Sequence, residues 1–217
     1  MPEKKTKDEI IRALLDTAFF RSTGATSLSH VATQLSLKKA SLYNHFNSRD
    51  DLLAQTMQMC ASYIDEITFI PKNTAYVAQK YSAEVVLKGI ANRYFKMHEK
   101  APLFQVYTFV ESQKYFVAEA ADIVKKEHQK LIDQTKIVLE ALRAKKKLSL
   151  RAEQIPAAAD WFCSGITDAL NRYLLERKQV IMHNPATGEG ELFSVPVDEQ
   201  MLKTAETFVH NFIVMIS

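Results

Sequence analysis

The length and composition of this chain favour a large helical protein and exclude several other classes. It has 217 residues, of which 47% are hydrophobic, and only 5 glycines and 6 prolines. That is enough apolar material for a substantial core, but too few chain breakers for a β-sandwich or β-barrel. No apolar run approaches the ~18 residues of a membrane span, and no signal peptide is visible. The two cysteines show neither metal spacing nor a disulfide framework, which predicts a reducing cytoplasm.

The positive charge is concentrated in the first 50 residues. The formal net charge of the chain is +3; residues 1–50 hold 8 Lys and Arg against 5 Asp and Glu, whereas residues 51–217 hold 20 of each. A basic excess confined to one region is typical of a surface that contacts nucleic-acid phosphates. The lysines that precede the first helix are either a basic arm or an ordinary solvated chain start, namely Lys4, Lys5 and Lys7.

Three short helices are predicted in this basic region. Apolar residues recur at helical spacing from Ile10 to Phe19, and Gly24 is placed as the C-cap of that first helix. A second helix contains Val31 to Leu35, and the turn Ser36-Leu37-Lys38 joins it to a third at Lys39 to Phe46. Such a helix-turn-helix lays one helix in the major groove of DNA, although ordinary helices of an all-α protein show the same pattern.

The third helix has one face that is suited to reading DNA. Leu42 and Phe46 fall on the same side, at roughly 100° per residue, and are expected to point inward. The opposite side offers a methyl group, an amide and hydroxyls, which suit base edges and phosphate oxygens. The predicted base-edge contacts are Lys39, Ala40, Ser41 and Asn44.

A fourth helix is predicted to begin directly after the third. Ser48 and Asp51 match a capping box before Leu52 and Leu53. Arg49 opens this helix, and the N-terminus of a helix favours phosphate. Arg49 is therefore a further candidate for contact with DNA.

The sequence resembles the N-terminal domain of the TetR family of bacterial transcriptional repressors over about residues 8–55. The residues that carry the resemblance are Thr26 to Ala32, Leu42-Tyr43-Asn44-His45-Phe46 and Ser48 to Leu53. It implies that Tyr43 and His45 contact phosphates, and that Ser27, Ser29 and Lys38 belong to the same DNA-binding set. The chain departs from the family pattern at Ser36 and Ala40, where the family usually has Gly, and at Ser29, where some members have a base-reading Arg.

The rest of the chain predicts further helices, and we expect two domains, residues 1–50 for DNA binding and residues 51–217 for effector binding and dimerisation. The further helices are predicted at about residues 49–67, 82–100, 102–111, 117–147, 152–178 and 198–216. Residues 71–81 are predicted to be a loop. Residues 180–197 contain two glycines and two prolines between β-favouring runs, and predict an irregular loop or a small hairpin.

The last two predicted helices have apolar stripes wider than packing on one side requires. In the TetR family the corresponding helices of two subunits form a four-helix dimer interface, and the resemblance implies the same here. A core within one subunit is the alternative. The candidate interface residues are Phe162, Gly165, Ala169, Tyr173, Phe208 and Phe212.

Large aromatic side chains are enriched in the middle of the chain. Although most must be core, the group favours a pocket for a mainly apolar or aromatic effector between residues 82–100, 102–111 and the helix of Trp161. His98 is either a polar core residue or a ligand of a haem or metal. The candidate effector-binding residues are Tyr94, Met97, His98, Phe104, Tyr107, Trp161 and Phe162.

The predicted function is that of a homodimeric transcriptional repressor, which a small apolar ligand releases from a palindromic operator. The sequence shows no catalytic triad, metal-binding motif or phosphate-binding glycine loop, so we expect neither an enzyme nor a bound cofactor. The alternative is a helical small-molecule sensor or carrier whose helix-turn-helix is only structural. A further alternative, closer to the predicted repressor, is an activator or a global regulator without a small ligand.

Overall fold

The structure is a computed structural model that describes residues 5–183 and 199–216. Within these residues every regular element is helical and none is a strand, which confirms the predicted all-α fold. A 3₁₀ turn at Ala152–Gln154 precedes the ninth helix. The α-helices are, in order, α1 (Lys7–Arg21), α2 (Leu28–Gln34), α3 (Lys39–Leu42), α4 (Arg49–Glu66), α5 (Thr74–Lys80), α6 (Ala83–His98), α7 (Leu103–Glu111), α8 (Ala118–Ala144), α9 (Ile155–His183) and α10 (Glu199–Ile216).

The chain folds as two compact units that interleave along the sequence. Of the described residues, the first unit comprises those up to Glu66 together with Pro102–Lys125, and the second comprises Ile67–Ala101 and those from Lys126 onward. The first unit therefore contains α1–α4 and α7, and α8 contributes residues to both units. The functional division predicted near residue 50 stays a prediction, because compactness alone does not assign a role to α4 or α7.

The first unit has a core that orients the helix-turn-helix. In α1 the buried residues, Ile10 and Leu14 among them, face α2, α4 and α7. Phe19 meets Phe104 of α7 edge to face, with ring centroids 4.9 Å apart. The N-terminus of α1 is fixed by a capping box, in which Thr6 N–H donates to the Glu9 carboxylate at 2.7 Å. Side-chain burial of this kind is the main source of helix stability in proteins.

The second unit is built around α6, α9 and α10, which pack on one another. The Gly165 backbone of α9 lies so close to α10 that an added Cβ would come within 2.1 Å of the Phe208 ring. His98 is fully buried: its Nδ1 lies 2.8 Å from the Tyr94 carbonyl and its Nε2 lies 3.2 Å from Glu127 Oε1. His98 is thus a hydrogen-bonded core residue, one of the two alternatives from the sequence.

Several sequence-based boundaries were wrong for identifiable reasons. α1 ends at Arg21, and Ser22 rather than Gly24 takes the positive φ, 70°, that ends it. The third helix ends at Leu42 instead of Phe46, because bonds of the i to i+3 type, such as His45 N to Leu42 O at 3.0 Å, tighten the chain into turns.

Two segments that were not predicted to be helical are helical. Residues 74–80 form α5 within the predicted loop, with Ala78 fully buried. The helix α9 continues to His183 and includes the β-favouring run at 180–182, because Ile181 is buried one turn after Arg177. The rest of the predicted loop or hairpin lies outside the described residues.

Candidate DNA-binding surface

The entry to α2 is fixed by a reciprocal pair of hydrogen bonds. Ser27 is the N-cap of α2, where its hydroxyl accepts a bond from His30 N–H at 3.2 Å. In return, His30 Nδ1 accepts a bond from Ser27 N–H at 3.2 Å. Because Nδ1 accepts, the neutral imidazole carries its proton on Nε2. Ser27 therefore orients α2, and it is partly buried rather than fully exposed.

The turn between α2 and α3 is closed by the backbone of residues 35–38. Ser36 has φ of 55°, in the left-handed region. Leu37 N–H donates to the Ala32 carbonyl at 2.8 Å, and Ser36 N–H donates to Thr33 at 3.0 Å. This is a left-handed helix ending of the kind that glycine adopts without strain. Serine thus stands at a position whose geometry suits the family's glycine.

The structure leaves most predicted DNA-contact residues on the surface. Leu42 is 1% exposed and faces the core, as predicted, whereas Tyr43 is 51% exposed. Ser41 and His45 are half-buried. Five further predicted contacts are exposed, namely Ser29, Lys38, Lys39, Ala40 and Asn44.

A cavity of about 450 Å³ lies beside this surface. It is lined at the start of α2 by Ser27 and at the start of α4 by Ser48 and Arg49. Lys39 and Tyr43 also line it, and none of its lining residues is acidic. Helix N-termini present unpaired backbone N–H groups and a partial positive charge, which favour anions. The cavity therefore has the donors and the charge that a phosphate group requires.

Arg49 has an additional role that the sequence pattern did not reveal. Its Nε donates to the Thr26 carbonyl at 2.9 Å, and its Nη2 donates to the Thr23 carbonyl at 2.6 Å. These bonds fasten the loop between α1 and α2 to the start of α4. No local motif predicts them, because the partners lie more than twenty residues away in sequence. Contact of Arg49 with DNA stays a prediction.

The start of α4 is capped as the sequence predicted, with one change of partner. Ser48 Oγ accepts a bond from Asp51 N–H at 3.0 Å, and the Asp51 carboxylate accepts from Asn47 N–H at 2.7 Å. A bond from the Gln55 amide, and then the bond from Asn47, lower the pKa of Asp51. The carboxylate reaches one residue further back than in a standard capping box.

The predicted effector residues are distributed over the cores of both units. Phe104 and Tyr107 are buried in the first unit, whereas Tyr94, His98 and Phe162 are buried in the second. The other two are more accessible: Met97 is half-buried and Trp161 is 42% exposed. Their role in binding an effector stays a prediction.

A separate apolar groove of about 270 Å³ lies between α5 and α6. We call it the α5–α6 groove, and none of the predicted effector residues lines it. It is lined chiefly by Phe69, Tyr81, Val85, Gly89, Ile90 and Arg93.

The predicted dimer residues pack within one subunit. Phe162 is fully buried and its ring centroid lies 5.1 Å from that of Phe212. Gly165 lies against Phe208, and Ala169 and Tyr173 are also buried in the isolated subunit. Among the described side chains of α9 and α10, the large apolar ones left exposed are Trp161, Leu175, Val180, Met182, Val214 and Met215.

The described residues contain neither a cluster of metal-binding side chains nor a helix that could span a membrane. No group of three or more His, Cys, Asp or Glu residues in that part of the chain is arranged to hold a metal ion. None of the helices within it is long and apolar enough to span a membrane. Both cysteines are buried, and burial raises the pKa of each thiol to about 12.

The helix-turn-helix region is similar in sequence to known bacterial regulatory proteins. Residues 10–56 match the profile described as "Bacterial regulatory proteins, tetR family". The negative transcriptional regulator IcaR of the biofilm operon icaADBC, from Staphylococcus aureus strain Newman, is 27% identical over 94 residues. This match covers 43% of the present chain and 48% of IcaR, so the chain spans about half the length of that relative.

Comparison with solved structures extends the likeness to nearly the whole chain. A TetR transcription regulator from Haloarcula marismortui has a TM-score of 0.64 at 12% identity, with 97% of both chains covered. A TetR transcriptional regulator from Legionella pneumophila has a TM-score of 0.59 at 17% identity, with 98% of this chain and 100% of that chain covered. At such identities the likeness establishes the fold alone.

Proposed function

We propose that this chain, whose residues 10–56 match the model of the tetR family of bacterial regulatory proteins, is a DNA-binding transcriptional repressor of that family. The observation that carries the proposal is the exposed polar face of α3 and the following turn, beside a cavity formed at the starts of α2 and α4. The basic excess of residues 1–50 supports it, because phosphate contacts need cations. That IcaR is named a negative regulator supports repression.

In the proposed complex the exposed face of α3 lies in the major groove. Lys39, Ala40, Ser41 and Asn44 read base edges, and Tyr43 and His45 contact phosphates. Phosphate contacts contribute affinity for every sequence, whereas base contacts contribute discrimination. Ser27, Ser29, Lys38 and Arg49 complete the proposed surface.

The repressor is proposed to act as a homodimer. A two-fold dimer places two recognition helices about one DNA turn apart (~34 Å), which requires a roughly palindromic operator. The buried residues of α9 and α10 are already used within the subunit, so the proposed interface moves to the exposed apolar side chains of these helices. Among these are Trp161 and Leu175 of α9 and Val214 and Met215 of α10.

Release from the operator by a small, mainly apolar ligand is the third part of the proposal. The ligand must bind the released state more tightly than the DNA-bound state, since otherwise no equilibrium shifts. No catalytic step is proposed, because the family is one of regulators. A protein that binds operator DNA works where that DNA is, so a cytoplasmic location belongs to the same proposal.

Operator selection from random duplex DNA, followed by anisotropy titration at several salt concentrations, tests the proposal. Asn44→Ala should weaken binding to the selected operator by about 1–3 kcal/mol, roughly 5- to 150-fold, and relax its specificity. Tyr43→Ala should weaken binding to all sequences about equally, because a phosphate contact is lost. Tyr115, which is 83% exposed elsewhere in the same unit, gives the matched control Tyr115→Ala.

Unchanged affinity for both the Tyr43 and the Asn44 variants would show that α3 does not contact DNA as proposed. The alternative of a sensor or carrier with a structural helix-turn-helix predicts that the wild-type protein selects no palindrome. It also predicts no decrease of affinity with salt, so the same titration separates the two functions.

A further inference from the structure

The α5–α6 groove has the form of a small ligand site that the predicted effector residues do not include. Its volume is about 270 Å³, just below the roughly 300–1,000 Å³ that is usual for small-molecule sites. Phe69, Val85 and Ile90 give it apolar walls, and Arg93 is the one charged residue among those that line it. An apolar cleft with a single charged residue in its lining suits an amphipathic ion.

Gly89 keeps the groove open. It lies in the middle of α6, where glycine is less favourable than alanine because of its backbone entropy. A Cβ at this position would meet no atom within 4 Å, so the packing of the subunit does not require a glycine. Because Gly89 lines the groove, a larger side chain there would occupy the space that a ligand needs.

Arg93 presents a positive charge one helical turn beyond Gly89. Its Nε and Nη2 each lie 3.3 Å from the Thr68 carbonyl oxygen, which orients the guanidinium without neutralising it. Within the described part of the chain no carboxylate lies within ion-pair distance of Arg93. Lys88 of the same helix differs, because its Nζ lies 2.9 Å from Glu84. Arg93 therefore retains donors and charge for an anion.

Hydrogen bonds and a ring contact to neighbouring residues fix two of the residues that line the groove, Phe69 and Tyr81. Phe69 N–H donates to Gln134 Oε1 at 2.9 Å, and the Phe69 ring packs edge to face on Tyr94 at 4.7 Å. The Tyr81 carbonyl accepts a bond from Lys147 at the end of α5. A site whose walls are already ordered loses less entropy when a ligand binds.

We propose that the α5–α6 groove binds a small amphipathic carboxylate. Its flat aromatic or short aliphatic body lies over Gly89 against Phe69 and Ile90, and its carboxylate pairs with Arg93. This deepens the proposed function, on which the regulatory consequence rests: the ligand is the effector, and it acts on the segment of chain that directly follows α4. The inferred effector class is anionic as well as apolar.

Isothermal titration calorimetry of the full chain with naphthalene-2-carboxylate and with its uncharged analogue, naphthalen-2-ylmethanol, tests the groove. The wild type should bind the acid at least tenfold more tightly than the alcohol. Arg93→Gln should remove that difference, and Gly89→Leu should abolish binding of both compounds. Lys88→Gln, which removes a cation from the same helix outside the groove, should leave both affinities unchanged.

Circular dichroism establishes that each variant is folded. Gly89→Ala adds only a methyl group, so it should keep the fold and weaken binding only partly. The proposal is overturned if the wild type binds neither compound. It is overturned equally if folded Gly89→Leu binds the acid as the wild type does, or if Lys88→Gln weakens acid binding as much as Arg93→Gln.

The failure of this proposal and the failure of the proposed function give different results. If the protein without any ligand binds no operator DNA, the proposed repressor function is contradicted. The calorimetry would still show whether the α5–α6 groove binds the carboxylate. Binding of the acid that depends on Gly89 and Arg93 but leaves operator affinity unchanged would overturn the effector role of the groove alone.

Discussion

Ser36 determines the turn between α2 and α3 through a backbone conformation that is unfavourable for serine. Its φ of 55° brings the serine Cβ close to backbone oxygen, a cost that glycine does not have. The position is the one at which the TetR resemblance expects glycine. The hydrogen bonds of the turn, Leu37 to Ala32 above all, retain the conformation despite this cost.

Replacement of Ser36 by glycine should therefore stabilise the protein. The relief of left-handed strain, about 1–2 kcal/mol, exceeds the entropy that glycine adds to the unfolded chain, so a net gain of up to about 1 kcal/mol is expected. Urea unfolding followed by circular dichroism measures it. Ser29→Gly at an exposed position of α2 is the matched control and should destabilise by about 0.5 kcal/mol. A Ser36→Gly variant less stable than the wild type would contradict the strain argument.

At the scale of elements, sequence periodicity predicted those helices whose signals are local. The helix predicted at about residues 82–100 is α6, and Ser82 is its N-cap: the Ser82 hydroxyl accepts from Val85 N–H at 3.3 Å. The helix α5 gave no such signal, because its seven residues include one buried side chain, Ala78. A helix that short is unstable alone, so its existence depends on contacts distant in sequence.

The same limit applies to the candidate DNA-binding surface. The inward position of Leu42 and the cap at Ser48 follow from spacing of three or four residues, and both were predicted. The bonds of Arg49 to Thr23 and Thr26 join residues that only the folded chain brings together. A sequence pattern therefore identified the surface but not the group that holds its loop in place.

Lys147 supplies one of the distant contacts that α5 needs. The helix predicted to reach residue 147 is α8, which ends at Ala144. Lys147 lies beyond it and donates to the carbonyls of Gln79, at 2.8 Å, and Tyr81. These carbonyls lie at the C-terminus of α5, where a cation also complements the helix dipole.

Lys147→Met should therefore loosen α5 while leaving the rest of the fold intact. We expect a loss of about 0.5–1.5 kcal/mol from the hydrogen bonds and faster amide exchange at residues 78–81. Lys145→Met, at an exposed position two residues earlier, should change neither quantity. Hydrogen exchange with mass spectrometry measures the local effect. Equal exchange rates at residues 78–81 in both variants would show that Lys147 does not stabilise α5.

At the scale of the molecule, the described surface of α9 and α10 is where a second copy is proposed to bind. Val214 is 65% exposed and Met215 is 67% exposed, whereas Phe212 between the same helices is 1% exposed. A charge at Phe212 would disrupt the subunit core and so could not test an interface. Charges at exposed positions such as Val214 and Met215 can test the interface, because they leave the subunit core unchanged.

The double variant Val214→Glu/Met215→Glu should shift the protein from dimer to monomer with its helical circular dichroism retained. Operator affinity should fall at the same time, since one subunit covers only one half-site. Size-exclusion chromatography with light scattering measures the mass, and Tyr115→Glu is the control at an exposed aromatic outside α9 and α10. A double variant that remains fully dimeric would place the interface elsewhere.

The close approach of Gly165 to Phe208 has a consequence for how related chains diverge. A Cβ at position 165 would come within 2.1 Å of the Phe208 ring, so an alanine there forces the ring away from its neighbours Phe162 and Phe212. The reverse order has no such barrier, because a smaller residue at position 208 first opens room for a methyl group at position 165. The order in which position 208 changes first therefore avoids a clash that a first change at position 165 must relieve by moving the Phe208 ring, and we expect homologues that lack glycine at 165 to have a smaller residue at 208.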